Sequence, residues 1–188
     1  MSKGRRTAGF GLLCYLLFMS AYAASAQAGL EPVSPNMIHG NVLSDPKGKF
    51  EIGTESLPVK WYKAPQAKFP SYAAIDNTAH RVYAVAYFPK ESGDTLDQTV
   101  KGAFEGMRRW AAANKAIINK TSSKSSDQPL PNSTRIMAEG TLQNGKNFYA
   151  IQVLVFTDSV MCNISTYALS QTDLNDFDKF VASFKVTK

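Results

Sequence analysis

The 188-residue sequence has few of the side chains that form disulfides, bind metals or transfer protons, with only two cysteines and two histidines. It contains no paired-cysteine or His-Glu-x-x-His metal spacing, no glycine-rich phosphate loop and no serine flanked by glycines at an elbow. The sequence thus carries none of the motifs by which these common classes of enzyme are recognised. The sequence therefore predicts no catalytic residues, no metal and no cofactor.

The sequence also lacks an apolar run long enough to cross a bilayer. Its longest apolar stretch covers residues 10–23, whereas a spanning helix needs about 20 residues. Three basic residues precede this stretch, and Ala-Ser-Ala follows at 24–26, the small-x-small pattern that signal peptidase cleaves. We predict that residues 1–26 are a cleaved signal peptide. The mature protein would then be periplasmic or secreted and have no membrane span.

Cleavage would change both the charge and the cysteine count. Three of 21 basic residues and none of 15 acidic residues lie in the signal peptide, so the net charge falls from +6 to +3. A charge of +3 with both signs interspersed argues against a nucleic-acid partner. Cys14 is lost as well, so Cys162 stands alone and no internal disulfide can form.

The predicted mature chain divides into a tail and one domain. Residues 27–46 contain Pro32, Pro35 and Pro46 without sustained periodicity, which predicts a flexible linker. Residues 47–188 are enough for a single hydrophobic core. We therefore expect one globular domain that begins near a short strand at 49–52.

Two amphipathic helices frame the predicted domain. Thr95 and Gln98 form a capping box, and apolar residues then recur every three or four positions to Ala113. A second helix begins at Thr172 or Asp173, with an apolar stripe that includes Phe177 and Phe180. We interpret the aspartates of its first turn as favourable to the helix dipole.

Strand patterns occupy much of the remaining domain. We predict an irregular segment around the prolines at 58–70 and a mobile polar loop at 122–131. An Asn-Gly pair at 144–145 predicts a hairpin. Beyond the first short strand, the predicted strands are 72–75, 81–88, 115–121, 133–142, 147–157 and 160–169.

The predicted order is strand, two strands, helix, four strands, helix. Hairpins require antiparallel pairing, and strands that are apolar on both sides, such as 81–88, require cover on both faces. The fold class is therefore α+β, an antiparallel sheet sandwiched with two main helices in the order β-ββ-α-ββββ-α.

This order and two sequence details resemble the PsbP-like fold, which includes PsbP and small envelope proteins of the DcrB type. One detail is Phe-Glu-Ile at 50–52 followed by Leu-Pro-Val-Lys-Trp at 57–61, and the other is Val-Ala-Ser-Phe-Lys at 181–185. The resemblance covers about residues 47–187. It implies a fold and little about mechanism, because the family is functionally diverse.

A segment that alternates aromatic and cationic side chains is the predicted binding site. If exposed, it could stack on a sugar or contact an anionic headgroup or a partner protein. If Trp61 is buried, which we favour, the tyrosine and the lysines form the surface contacts. The candidate binding residues are Lys60, Trp61, Tyr62, Lys63, Lys68 and Phe69.

Three functions remain open from the sequence, and the oligomeric state is not specified. The first is a non-catalytic exported protein that binds a protein or an envelope component through its surface. The second is a carrier of a small apolar ligand in a pocket lined by residues such as Phe104, Met107 and Phe156. The third is a hydrolase that uses His80 or Cys162, although a free cysteine in a strand is more typical of a buried core residue.

Overall fold

A computed structural model describes residues 29–47, 49–53, 59–65, 67, 69–76, 81–90, 95–126, 130–157 and 160–187. The predicted signal peptide lies outside these residues, as do Lys68 and His80. The helices are α1 (Leu96–Ala113) and α2 (Gln171–Ala182), and a 3₁₀ turn covers Pro35–Met37. The strands are β1 (Glu31–Pro32), β2 (Ile38–His39), β3 (Val42–Ser44), β4 (Phe50–Gly53), β5 (Lys60–Lys63), β6 (Ser71–Asp76), β7 (Arg81–Pro89), β8 (Ile117–Ser126), β9 (Ser133–Thr141), β10 (Asn147–Phe156), β11 (Val160–Ala168) and β12 (Lys185–Val186).

The strands form two antiparallel sheets. The large sheet has eight strands in the order β1-β5-β6-β7-β11-β10-β9-β8, and the small sheet has four in the order β12-β4-β3-β2. Helix α1 carries the chain from β7 in the middle of the large sheet to β8 at its edge. Strands β8 to β11 then pair with one another in chain order, and β11 pairs with β7.

Helix α1 covers one face of the large sheet. The Thr95 side chain accepts a hydrogen bond from the Gln98 amide at 3.3 Å, which confirms this half of the capping box. Trp110 is buried and contacts the Phe148 ring edge-on, with ring centroids 5.1 Å apart. The Asn114 side chain donates to the Trp110 carbonyl at 2.8 Å, and this carbonyl also accepts from the Asn114 amide at 3.0 Å.

Helix α2 and the small sheet cover the opposite face. Tyr83 stacks on Phe180 of α2, with ring centroids 4.9 Å apart. Because Tyr83 pairs with Thr166, it faces away from Tyr167, whose ring lies 5.2 Å from Trp110 of α1. The large sheet thus separates two apolar layers, which confirms the α+β sandwich predicted from the sequence.

The end of α2 is tied to the small sheet by a serine and a phenylalanine. The Ser183 hydroxyl accepts from the Gly53 amide at 2.9 Å and also lies 2.8 Å from the Gly53 carbonyl. Phe184 stacks on Phe50 at 5.8 Å. The Ser-Phe pair noted in the sequence therefore closes the helix onto β4.

Residues 29–46 do not form the flexible linker that the sequence suggested. They contain β1, β2 and β3, and Leu43 is fully buried in the core. Asp45 is buried as well, and it accepts hydrogen bonds from Tyr72 and from the amides of Lys47 and Lys49. Such strands of two or three residues are too short to show a periodic pattern in the sequence, and β1 depends on the distant β5 as its partner.

Two further local predictions are wrong. The segment 60–63 is strand β5 rather than irregular chain, and the predicted polar loop at 122–131 is strand up to Ser126. Pairing with β9 extends β8, because cross-strand hydrogen bonds compensate for the weak strand propensity of serine and lysine. Strand β8 therefore ends five residues later than predicted.

Candidate interaction surfaces

The predicted aromatic and cationic segment is divided between the two faces of β5. Successive side chains of a strand point in opposite directions. Trp61 is 7% exposed and packs against Phe180 of α2, with ring centroids 6.1 Å apart. This burial agrees with the interpretation favoured from the sequence. Tyr62 points to the other face and is partly buried beside Ala73. The two rings therefore do not form one exposed patch.

The remaining residues of the segment are also engaged. The Lys63 ammonium lies 2.9 Å from a Glu31 carboxylate oxygen. Phe69 is partly buried and packs edge-on against Phe88 at 5.0 Å. Lys60 is exposed. Of the predicted binding residues that the structure describes, only Lys60 and Lys63 are exposed.

Cys162 lies in the hydrophobic core. It is fully buried, and burial together with the nearby Asp45 carboxylate raises its pKa to about 12. Burial and Asp45 likewise raise the pKa values of Tyr72 and Tyr87. A neutral, inaccessible thiol cannot act as a nucleophile. The described residues thus assign Cys162 a packing role.

Two aspartates of α2, Asp176 and Asp178, are paired with cations. Asp178 binds Arg135 of β9, whose guanidinium also lies 5.9 Å above the Phe177 ring. Asp176 lies 3.5 Å from Lys179. No group of three potential metal ligands occurs in the described ranges.

The residues suggested for an apolar pocket belong instead to a packed layer. Met107 is 1% exposed, and Phe104 and Phe156 pack against the same cluster. A cleft of about 480 Å³ does exist where the end of β10 meets β12, and Phe156 is among its lining residues. Its apolar walls include Leu130, Val155 and Phe184.

The excess positive charge lies at the other end of the large sheet from β5. Residues 95–146, which form α1, β8, β9 and the turn into β10, contain eight basic and four acidic residues, a net charge of +4. The rest of the predicted mature chain contains ten basic and eleven acidic residues, a net charge of −1. The whole excess of +3 therefore derives from this one part of the chain.

The cations at this end are exposed and mostly without acidic partners. Lys120 lies 3.8 Å from Glu139. The side chains of Arg108, Arg109, Lys115 and Lys124 are exposed and form no ion pair with another described residue. We call this surface, formed by the end of α1 and by β8, the basic edge.

The basic edge also carries an exposed apolar residue. Ile117 is 66% exposed, the highest value among the exposed large apolar residues of the described chain. Its carbonyl oxygen would lie 2.1 Å from a Cβ atom at position 140, so a glycine is required there for β8 to approach β9. The register shifts between Ile118 and Lys120, next to this close approach.

A recess adjoins the basic edge. It measures about 390 Å³ and lies between the end of α1 and the turn joining β9 to β10. Its lining includes Trp110, Asn114 and Asn144, and the exposed Lys115 and Lys146 lie beside it in the sequence. Apolar, amide and cationic groups therefore occur close together at this corner.

The basic edge was missed because its signal is spread along the sequence. No short segment of 95–146 stands out, and the second half of β8, from Ser122 onward, has the composition of a polar loop. Comparing the net charge of successive long segments of the predicted mature chain would have located the basic edge.

The fold matches a known structure at low sequence identity. The solution structure of cyanobacterial PsbP (CyanoP) from Synechocystis sp. PCC 6803 aligns with a TM-score of 0.55 and 14% identity, over 82% of this chain and 97% of that one. No family model and no curated protein matches the sequence. The chain thus has the PsbP-like fold that the sequence resembled. No described helix is long and apolar enough to span a membrane.

Proposed function

We propose that the protein is an exported, non-catalytic binding protein of the bacterial envelope that recognises a protein or an envelope component. The basic edge carries this proposal, because it concentrates the net charge of the predicted mature chain on exposed side chains beside an exposed isoleucine. Complementary charge attracts an anionic partner and favours its correct orientation.

Two surfaces compete for this role. The segment around Lys60 and Lys63 was the prediction from sequence, and it belongs to a part of the chain with no charge excess. Its lysine at 63 already has a carboxylate partner. We therefore assign recognition to the basic edge and use the β5 segment as its internal control.

Capture from the organism's own envelope fraction tests the assignment. The mature domain is immobilised as wild type, as Lys115→Glu/Lys120→Glu/Lys124→Glu and as Lys60→Glu/Lys63→Glu. We expect the first variant to lose the protein or component that the wild type retains, and the second to keep it. If only the Lys60/Lys63 variant fails to capture the partner, the binding site lies at β5. If all three proteins capture it equally, recognition does not depend on these charges.

A carrier of a small apolar ligand is the second candidate function. The cleft of about 480 Å³ between β10 and β12 supports it, since small-molecule sites span roughly 300–1,000 Å³. Native mass spectrometry of the protein purified from its own envelope tests this function. A defined extra mass that disappears in Val155→Trp would support it, and the bare protein mass alone would contradict it.

A further inference from the structure

Strand β8 has an unpaired outer edge. It is the last strand of the large sheet, it contains ten residues, and β9 is its only strand partner among those described. The backbone amides and carbonyls that point away from β9 are therefore free to pair with another strand. The opposite edge differs, because β1 there has only two residues and one of them is Pro32.

The side chains along β8 leave this outer edge accessible. Residues 121–125 are all exposed, and they are serine, threonine and lysine. Lys120 and Lys124 are four positions apart, and the register shift lies before both of them, so they lie on the same face of the sheet. An incoming strand would find two cations on that face.

We propose that β8 accepts an extended acidic segment of a partner polypeptide as a ninth strand of the large sheet. This inference rests on the proposed function and names its partner class. Main-chain hydrogen bonds would supply affinity, and carboxylates opposite Lys120 and Lys124 would supply specificity.

The same geometry disfavours a second copy of this chain. Two-fold antiparallel pairing of β8 with itself, centred on Ser122, would place Lys120 of each copy opposite Lys124 of the other. Like charges directly opposite destabilise a strand pair. Lysines on an edge strand are a common protection against such self-association. An acidic strand removes the repulsion and keeps the backbone pairing.

A labelled decapeptide of alternating glutamate and threonine is the probe, and alternating lysine and threonine is its control. We expect fluorescence anisotropy to show binding of the acidic peptide only. Lys120→Glu/Lys124→Glu should weaken this binding roughly tenfold or more, about 1.4 kcal/mol, and Lys60→Glu/Lys63→Glu should leave it unchanged.

Amide hydrogen exchange distinguishes strand addition from simple charge attraction. In the free protein, alternate amides of residues 120–126 should exchange fast, because they point away from β9. The acidic peptide should protect these amides. Binding without such protection would overturn strand addition and leave the proposed function standing. No binding of the acidic peptide would also overturn strand addition, and capture from the envelope would then decide the proposed function separately.

Discussion

The β5 end and the β8 end of the large sheet differ in length, composition and charge. At the β5 end, the edge strand β1 has two residues, and the cationic Lys63 is paired with Glu31. At the β8 end, the edge strand has ten residues, with exposed lysines and an isoleucine that is 66% exposed. The first end is closed by packing and pairing, whereas the second is open to a partner.

This difference shows why aromatic residues and lysines that are neighbours in the sequence need not share one surface. In a strand, alternation divides neighbours between two faces, so Trp61 and Tyr62 cannot act together. A run of serine and lysine looks like a loop but forms an accessible strand edge when a neighbour pairs with it. The predictions that follow test this contrast, from the largest expected effect to the smallest.

Trp61→Ala should be strongly destabilising. Trp61 is 7% exposed and packs on Phe180, and truncation of a buried aromatic side chain costs about 3–5 kcal/mol. Urea unfolding measures this loss. Ile117→Ala at the β8 end is the matched control and should change stability by no more than about 0.5 kcal/mol. A small effect of Trp61→Ala would mean that the indole is a surface group after all.

Ser183→Ala should destabilise the fold by about 1–3 kcal/mol, because it removes the partner of the buried Gly53 amide. Ser123→Ala, on the exposed part of β8, is the matched control and should be nearly neutral. Equal effects in chemical denaturation would contradict the role of Ser183 in closing α2 onto the small sheet.

Alkaline pH should destabilise the wild type more than Cys162→Ala. The unfolded thiol loses its proton above about pH 8.5, whereas burial raises the folded pKa to about 12. The contribution of this group is therefore complete below pH 8.5 and is lost as the pH rises towards 12. The slope for one group is at most about 1.4 kcal/mol per pH unit.

The pH effect is measured as the urea midpoint between pH 8 and pH 10, before tyrosine ionisation dominates. The variant should show the shallower decline over this interval. Parallel slopes for wild type and variant would show that Cys162 is not sealed in the core.

Lys63→Gln should change stability by only about 0–1 kcal/mol, since exposed ion pairs are weak. The Lys63 and Glu31 side chains are 46% and 55% exposed. Thermal unfolding of this variant beside Lys120→Gln compares the two ends directly. A loss well above 1 kcal/mol at Lys63 would show that β1 depends on this pair.

The sequence predicted the parts of the fold that are encoded locally. Helix α1 follows from its cap and apolar stripe, and the strands from β9 to β11 follow from their apolar runs and the Asn-Gly turn. The small sheet was not predictable, because β2 and β12 have only two residues each and β12 pairs with β4, which is distant in the sequence.

The candidate site was predictable only in part. Burial of Trp61 was favoured from the sequence, but the ion pair of Lys63 with Glu31 requires β1, which the sequence presented as a linker. The basic edge depends on α1 and β8 meeting at one end of the sheet. The contact between α1 and β8 is determined by the topology of the fold, and no local sequence motif predicts it.

Site-specific photocrosslinking in the envelope tests most directly whether recognition lies at the basic edge. A photoreactive phenylalanine is introduced at position 117 in one protein and at position 60 in a second, both exposed sites. We predict that irradiation produces a discrete adduct from position 117 and none from position 60. An adduct from position 60 with none from position 117 would contradict the assignment and return the site to β5.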